Sequence, residues 1–119
     1  MSNFGLYSGW YAQLREYSEL VDHVLLLSIS QTEPRAEAPR RRLSKLFRSL
    51  SGTPDADPRT TLLRIWMGRH IRLSPSQWQS LAEAVLQSST DEAVVQRLEQ
   101  VARQLDLHRA QVLSEMRGR

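Results

Sequence analysis

The fold is decided by YSGWYAQLREYSELVDHV, residues 7–24, because its large apolar side chains recur at alternating intervals of three and four. That interval returns a side chain to the same face of an α-helix once per turn, whereas a half-buried strand would alternate at every second residue. The stretch therefore predicts a long helix from about Asn3 to Ile29. The residues that set its spacing are Tyr7, Trp10, Leu14, Tyr17, Val21 and Val24.

Two proline-containing stretches, 30–39 and 51–57, are linker-like and lie on either side of a second helix. Between them PRRRLSKLFRSL, residues 39–50, repeats its large apolar residues at helical spacing. Gly52 is of the type that commonly follows the last turn of a helix, because glycine adopts a left-handed backbone without steric cost. The second helix is therefore expected to end close to this glycine.

Residue types that stabilise a first helical turn indicate where the next two helices begin. Asp57 followed by Pro58 predicts the start of a third helix, which would stop before Gly68. Further along, Ser74 and Gln77 have the spacing of a capping box, in which each side chain accepts a hydrogen bond from the backbone N–H of the other. The sequence therefore predicts a fourth helix that begins directly after Ser74.

A second capping pair, Ser89 and Glu92, predicts the start of a fifth helix. Its apolar residues keep helical spacing over most of the remaining chain: Val94, Leu98, Val101, Leu105 and Val112. No internal repeat with a period of roughly 20–50 residues is visible. The fold class predicted for residues 1–119 is an all-α, single-domain bundle of about five helices with a long, broadly apolar N-terminal helix.

Composition and charge limit the class of protein. The 119 residues, 40% hydrophobic and 24% charged, suffice for one domain with its own core, and no run is apolar enough to span a membrane. The chain contains no cysteine, which excludes disulfides and thiolate chemistry and agrees with a cytoplasmic location. Residues 40–72 hold nine basic residues against two acidic ones. This basic middle is a candidate anion-binding region unless the more acidic flanks fold over it.

The first helix has a wider apolar face than a single helical neighbour requires. At 100° per residue its apolar arc spans roughly 220°, against the ~100° or somewhat more of an ordinary surface helix. It is therefore either the buried centre of the bundle or a helix that packs on the core and on another chain. Tyrosine and tryptophan are enriched at interface cores, which favours the second alternative. The residues predicted to bind a protein partner, in a homodimer or a heterocomplex, are Tyr7, Trp10, Tyr11, Leu14, Tyr17 and Val21.

The second helix separates its apolar and basic residues onto opposite faces at 100° per residue. Leu43, Leu46, Phe47 and Leu50 share the side that would pack on the core. The opposite side is predicted to meet an acidic partner or an anion through Arg41, Arg42, Lys45 and Arg48. Three alternatives stay open for it: a solvated face, an acidic protein or a nucleic acid.

The segment LEQVARQLDLHRAQVLSEMR, residues 98–117, resembles the helix-turn-helix core of the Fis type. Ala102 stands at the small-residue position of the first helix, and Asp106 stands where the turn usually has glycine. The resemblance implies contact with DNA base edges from the start of the second helix, here through His108, Arg109 and Gln111. The alternative is a single last helix that packs through Leu105, Val112 and Met116.

The sequence offers no catalytic motif and no cofactor site. His23, His70 and His108 are far apart in the chain, and neither a glycine-rich loop nor a nucleophile motif is present. We therefore expect a protein that is not an enzyme and holds no cofactor or metal. The predicted function is a small cytoplasmic regulator, an adaptor or an anti-activator that sequesters another regulator, with a DNA-binding transcriptional regulator as the alternative.

Overall fold

The computed structural model describes residues 4–30, 37–52 and 60–118, and in the first of these ranges side chains are described for residues 9–29. The prediction of an all-α bundle is confirmed, since the described residues form helices joined by turns, with no strand. The helices are α1 (Phe4–Ser30), α2 (Glu37–Leu50), α3 (Thr61–His70), α4 (Pro75–Leu86) and α5 (Glu92–Arg117).

The helices associate mainly in two pairs, α1 with α5 and α2 with α4, and α3 lies against α1 and α2. Buried side chains from all five helices form one continuous apolar cluster, so the two pairs share a core. Its largest members include Trp78 and Phe47, whose ring centroids are 5.4 Å apart. The result is one globule measuring 46 × 30 × 24 Å. Within the described ranges no helix combines the length and apolarity that a membrane crossing requires.

Helix α1 buries one face against the rest of the chain. Leu14, Val21 and Val24 have no exposed surface, and the hydroxyl of Ser28 in the same stripe donates to the carbonyl of Val24 at 2.9 Å. The predicted breadth of its apolar face depends in part on residues before Gly9. Because those side chains lie outside the described residues, the broadly apolar character of α1 stays a prediction.

Helix α4 begins with a capping box, and polar side chains of α2 join the two helices. The capping box at the start of α4 is confirmed: Ser74 Oγ accepts from the backbone N–H of Gln77, and Gln77 Oε1 accepts from that of Ser74. Across the pair, Ser44 Oγ donates to the carbonyl of Ala82 at 2.9 Å. Arg40 is buried between the helices, and desolvation lowers its pKa below the ordinary arginine value.

Two predicted helix boundaries are wrong. Helix α3 does not stop before Gly68 but continues to His70, because buried Met67 and Ile71 attach this turn to the core. Helix α5 is capped by Asp91, whose carboxylate accepts from the N–H of Ala93, and not by the Ser89–Glu92 box.

The linker predictions lie partly outside the described residues. Helix α1 ends at Ser30 and α2 begins at Glu37, so of the stretch 30–39 only residues 31–36 are left between helices, and these are not described. The predicted start of α3 at Asp57-Pro58 also lies outside the described residues. Gly52, the predicted stop of α2, has a left-handed φ of 98°, as expected for a residue that ends a helix.

Candidate protein-binding surface

Helices α1 and α5 are the two longest helices, and they run antiparallel. Trp10, near the start of α1, contacts His108 in the second half of α5. Leu25, near the end of α1, lies against the first half of α5 around Ala102. Between these points Ser18 Oγ donates to the carboxylate of Asp106. The outer sides of the two helices therefore lie next to each other.

A shallow, open groove of about 450 Å³ runs along the outer side of this pair. Helix α1 contributes Leu25, and α5 contributes residues at intervals of three and four that share one helical face: Glu99, Ala102, Arg103, Asp106, Leu107 and Ala110. Leu107 is a large apolar residue that is 56% exposed, whereas Leu98 and Leu105 of the same helix are fully buried. The groove thus offers apolar surface that the chain itself does not cover.

The exposed apolar surface continues along α1 beyond Leu25. Ile29, one turn later, is offset from it by only ~40° around the helix, and Leu26 by ~100°. Both side chains are more than half exposed. We call this surface the α1–α5 outer face and define it by Leu25, Leu26 and Ile29 of α1 with Glu99, Ala102, Arg103, Asp106, Leu107 and Ala110 of α5.

Charged side chains of both signs border the apolar part of the outer face. Glu99, Arg103 and Asp106 line the groove itself. Asp22, exposed on α1, is close enough to Asp106 for the two carboxylates to interact. Partial burial, and then the charge of Asp106, raise the pKa of Asp22 above its ordinary value, while Arg109 acts in the opposite direction. A partner at this face would therefore meet acidic and basic groups at defined positions.

A cluster of four rings, Trp10, Trp66, His70 and His108, joins α1, α3 and α5. The Trp66 ring stacks on both histidines, with centroids 4.7 Å from His70 and 4.2 Å from His108. Trp10 Nε1–H donates to Nε2 of His108 at 3.3 Å, so His108 is neutral in this geometry. Burial lowers the pKa of His108, and its hydrogen bond with Gln111 opposes that effect.

The aromatic residues predicted to bind a partner are only partly accessible. Trp10, Tyr11 and Tyr17 are half-buried and pack against the core. Leu14 and Val21 are fully buried, so we assign them to the core, where they leave no surface for a partner. The side chain of Tyr7 lies outside the described residues. Of the predicted stripe, the structure therefore leaves parts of three rings within reach of another molecule.

The basic face of α2 points outward as predicted, but the chain pairs part of it. Arg41 forms an ion pair with Glu37 one turn earlier. Arg42 forms one with Glu16 of α1, and its guanidinium lies 5.8 Å from the ring centroid of Tyr17. Lys45 is exposed, whereas Arg48 is half-buried. Glu16 of α1 thus folds back onto the basic middle, while Glu37 pairs with Arg41 within α2.

The predicted helix-turn-helix in residues 98–117 is wrong, because α5 runs without interruption from Glu92 to Arg117. Asp106, the predicted turn residue, lies inside the helix and accepts a hydrogen bond from Ser18. His108 packs in the ring cluster, Arg109 is half-buried, and Gln111 is exposed. The alternative of a single last helix is the one observed.

The structure brings two of the three histidines together, which the sequence did not predict. The ring centroids of His70 and His108 are 6.5 Å apart, whereas His23 is exposed on α1. Within 4–30, 37–52 and 60–118, no group of three or more histidine, cysteine or carboxylate side chains is arranged to hold a metal ion. Both histidines belong to the ring cluster.

Sequence reasoning missed Leu107 as a surface residue, and it missed the groove beside it. A signal was present, because Leu107 does not share the helical face of Leu98, Val101 and Leu105. At 100° per residue it lies well away from that buried stripe. The position of Leu25 against α5 had no comparable signal, because it depends on how the two helices pack.

Comparison with known proteins leaves this chain without a match. No protein-family model fits it, and neither a curated protein nor a solved structure is similar to it.

Proposed function

We propose that this chain is a small, non-enzymatic regulatory protein that acts by binding another protein through the α1–α5 outer face. The observation that carries the proposal is the groove beside Leu107. Fully burying a leucine side chain contributes about 1.5–3 kcal/mol, and Leu107, which is 56% exposed, forgoes roughly half of that. A partner that covers Leu107 and the adjoining groove would gain this contribution on binding.

The distribution of exposed apolar residues supports this location. Among the described residues, three large apolar side chains that are at least half exposed belong to the α1–α5 pair: Leu26, Ile29 and Leu107. This groove is not lined by the exposed large apolar side chains of α3 and α4, which are Leu62, Ile65 and Leu86. Single exposed leucines are common on protein surfaces, whereas apolar residues grouped around a concavity with a charged border mark interaction sites.

The proposed role is that of an adaptor or an anti-activator that sequesters another regulator, such as a transcription regulator. Binding at this face would cover a surface of the partner and keep that surface from its other ligands. We place this activity in the cytoplasm, in agreement with the absence of cysteine. The half-buried rings of Trp10, Tyr11 and Tyr17 would contribute by holding α1 in position against the core.

DNA binding through α2 is the second candidate, and the exposure of Arg41 and Lys45 favours it. The ion pairs of Arg41 with Glu37 and of Arg42 with Glu16 count against it, because paired cations release fewer counterions on contact with phosphates. Retention of the chain on random-sequence DNA at low salt, lost on neutralising Arg41 and Lys45, would favour this candidate over protein binding.

The experiment compares three forms of the full-length chain in quantitative affinity enrichment from its source cells: wild type, Leu107→Asp and the control Leu62→Asp. Leu62 is 62% exposed on α3, a close match to Leu107 at 56%. We expect a protein partner with wild type and with the control, and at least about a tenfold loss with Leu107→Asp, because two exposed-site variants should fold alike. No enrichment in any form, or equal enrichment in all three, would contradict the proposal.

A further inference from the structure

We propose that the partner at the α1–α5 outer face is a second copy of this chain, docked with the two α5 helices antiparallel. The inference rests on the proposed function, because it names the occupant of the same face. Two features support this occupant. One is the register of charged residues along α5, and the other is the set of apolar residues that a second copy would cover.

The groove residues of α5 are arranged symmetrically about the midpoint between Gln104 and Leu105. A two-fold axis through that midpoint, perpendicular to α5, turns a second copy antiparallel. Arg103 then lies opposite Asp106 of the second copy. The same operation places Glu99 opposite Ala110. Because the axis is two-fold, each of these contacts forms twice, and the assembly closes at a dimer.

The charges at this register are complementary. Arg103 is exposed, and no ion pair found within residues 4–30, 37–52 and 60–118 includes it. Asp106 uses Oδ1 to accept from Ser18, which leaves the second carboxylate oxygen for an incoming guanidinium. Two arginine–carboxylate contacts would therefore form without breaking a bond that the chain already makes. Such pairs next to the two-fold axis fix the register of the interface and exclude other orientations.

The apolar residues fit the same arrangement. Ala110 is exposed and has a small side chain, which allows a second helix to approach α5 closely. Leu107 lies at the edge of the contact face, where a second copy would cover its exposed surface. Leu25 and Ile29 extend the covered area onto α1. By contrast, the outward face of α2 is cationic and has no exposed large apolar side chain, so it would not fill an apolar groove.

The experiment is sedimentation of the full-length chain over a wide range of concentration. We expect a monomer–dimer equilibrium for wild type and for Leu62→Asp, and a monomer for Leu107→Asp. Arg103→Asp places two like-charged pairs in the interface and should raise the dimer dissociation constant at least about tenfold. Asp106→Arg should do the same for the opposite sign of charge.

Mixing Arg103→Asp with Asp106→Arg is the decisive arm. In the mixed dimer the aspartate at position 103 of one chain faces the arginine at position 106 of the other. The unchanged Arg103 of the second chain faces the unchanged Asp106 of the first. The mixture should therefore dimerise at least about tenfold more tightly than either variant alone. A dimer that is insensitive to Arg103→Asp, or a mixture no tighter than its components, would overturn the proposed register.

A second variant covers the risk that Asp106→Arg, which loses the Ser18 bond, fails to fold. The chain has no cysteine, so Arg103→Cys introduces a single thiol next to the two-fold axis. A short thiol cross-linker should join two such chains, whereas Leu62→Cys should stay uncross-linked at the same concentration. Equal cross-linking of both would contradict the inference.

The outcomes separate this inference from the proposed function. A wild type that stays monomeric at every concentration, together with a different protein enriched in a Leu107-dependent way, overturns the second copy as occupant and supports binding at the face. A monomer with no enriched partner contradicts both. A dimer with the predicted charge dependence supports this inference; if no other protein is enriched, the same result contradicts the sequestering of another regulator.

Discussion

Two glycines, Gly52 and Gly68, have opposite backbone requirements. Gly52 has a φ of 98°, which side-chain-bearing residues rarely adopt, whereas Gly68 lies within α3 and a Cβ there would meet no atom within 4 Å. Alanine at Gly68 should raise the free energy of unfolding by about 0.5–1 kcal/mol, because glycine in a helix interior is less favourable than alanine by that amount.

Alanine at Gly52 is the matched substitution with the opposite expected sign. It should lower the free energy of unfolding by about 1 kcal/mol, because a Cβ is strained in the left-handed region. Urea unfolding of both variants measures the two effects directly. Destabilisation by Gly68→Ala would show that α3 does not continue through this residue.

His108 makes stability depend on pH in a direction that its contacts determine. Burial lowers its pKa, and the Trp10 indole N–H occupies its Nε2, so the folded chain takes up this proton less readily than the unfolded chain. The unfolded state then binds more protons as the pH falls below the ordinary histidine value near 6.5, and the free energy of unfolding decreases. The groups that face the ring are His70, which disfavours its charge, and Gln111 and Glu115, which favour it.

His108→Gln should therefore lose less stability than wild type between about pH 7.5 and pH 5.5. His23→Gln, at an exposed position on α1, is the control and should keep the wild-type dependence. Urea unfolding at the two pH values provides the comparison. If wild type and His108→Gln show the same slope, the Trp10–His108 contact does not couple protonation to folding.

At the scale of the helix, α4 begins with a complete capping box. Ser74→Ala removes the acceptor for the N–H of Gln77 and should lower the free energy of unfolding by about 1 kcal/mol. Ser80 is exposed within the same helix, and alanine there should change stability by less than about 0.5 kcal/mol. Thermal unfolding of the two variants distinguishes loss of the cap from a general effect of serine replacement.

The helix boundaries show which local signals predict structure. The start of α4 was predicted correctly because the capping box is formed by Ser74 and Gln77, which are only three positions apart in the chain. The end of α3 was not, because the burial of Met67 and Ile71 outweighs the modest cost of Gly68 within a helix. At the start of α5, Asp91 caps the helix although Ser89 has the better motif spacing.

The continuity of α5 depends on a partner that no local pattern shows. Asp106 resembled a turn residue, but its carboxylate is bound by Ser18, 88 positions earlier in the chain. Similarly, the acidic flanks of the basic middle were visible in sequence, whereas the pairing of Arg42 with Glu16 was not. Both predicted DNA-binding features, the helix-turn-helix and the basic face of α2, thus involve contacts between distant segments that the sequence did not show.

At the scale of the molecule, amphipathic spacing predicted the number and type of helices, and their pairing produced the candidate site. The face of α1 that carries the aromatic residues lies against the core, where Leu14 and Val21 are completely buried. The exposed apolar surface lies instead where the end of α1 meets α5. Leu107 was recognisable as lying off the buried stripe of α5, but the groove beside it requires both helices.

The most direct measurement of the central claim is site-specific photo-cross-linking in living cells. A photoreactive amino acid replaces Leu107 in one form and Leu62 in another, since both residues are well exposed on different helices. Protein binding at the α1–α5 outer face predicts a discrete protein adduct from position 107 that is absent from position 62. No adduct from position 107, or the same adducts from both positions, would contradict it.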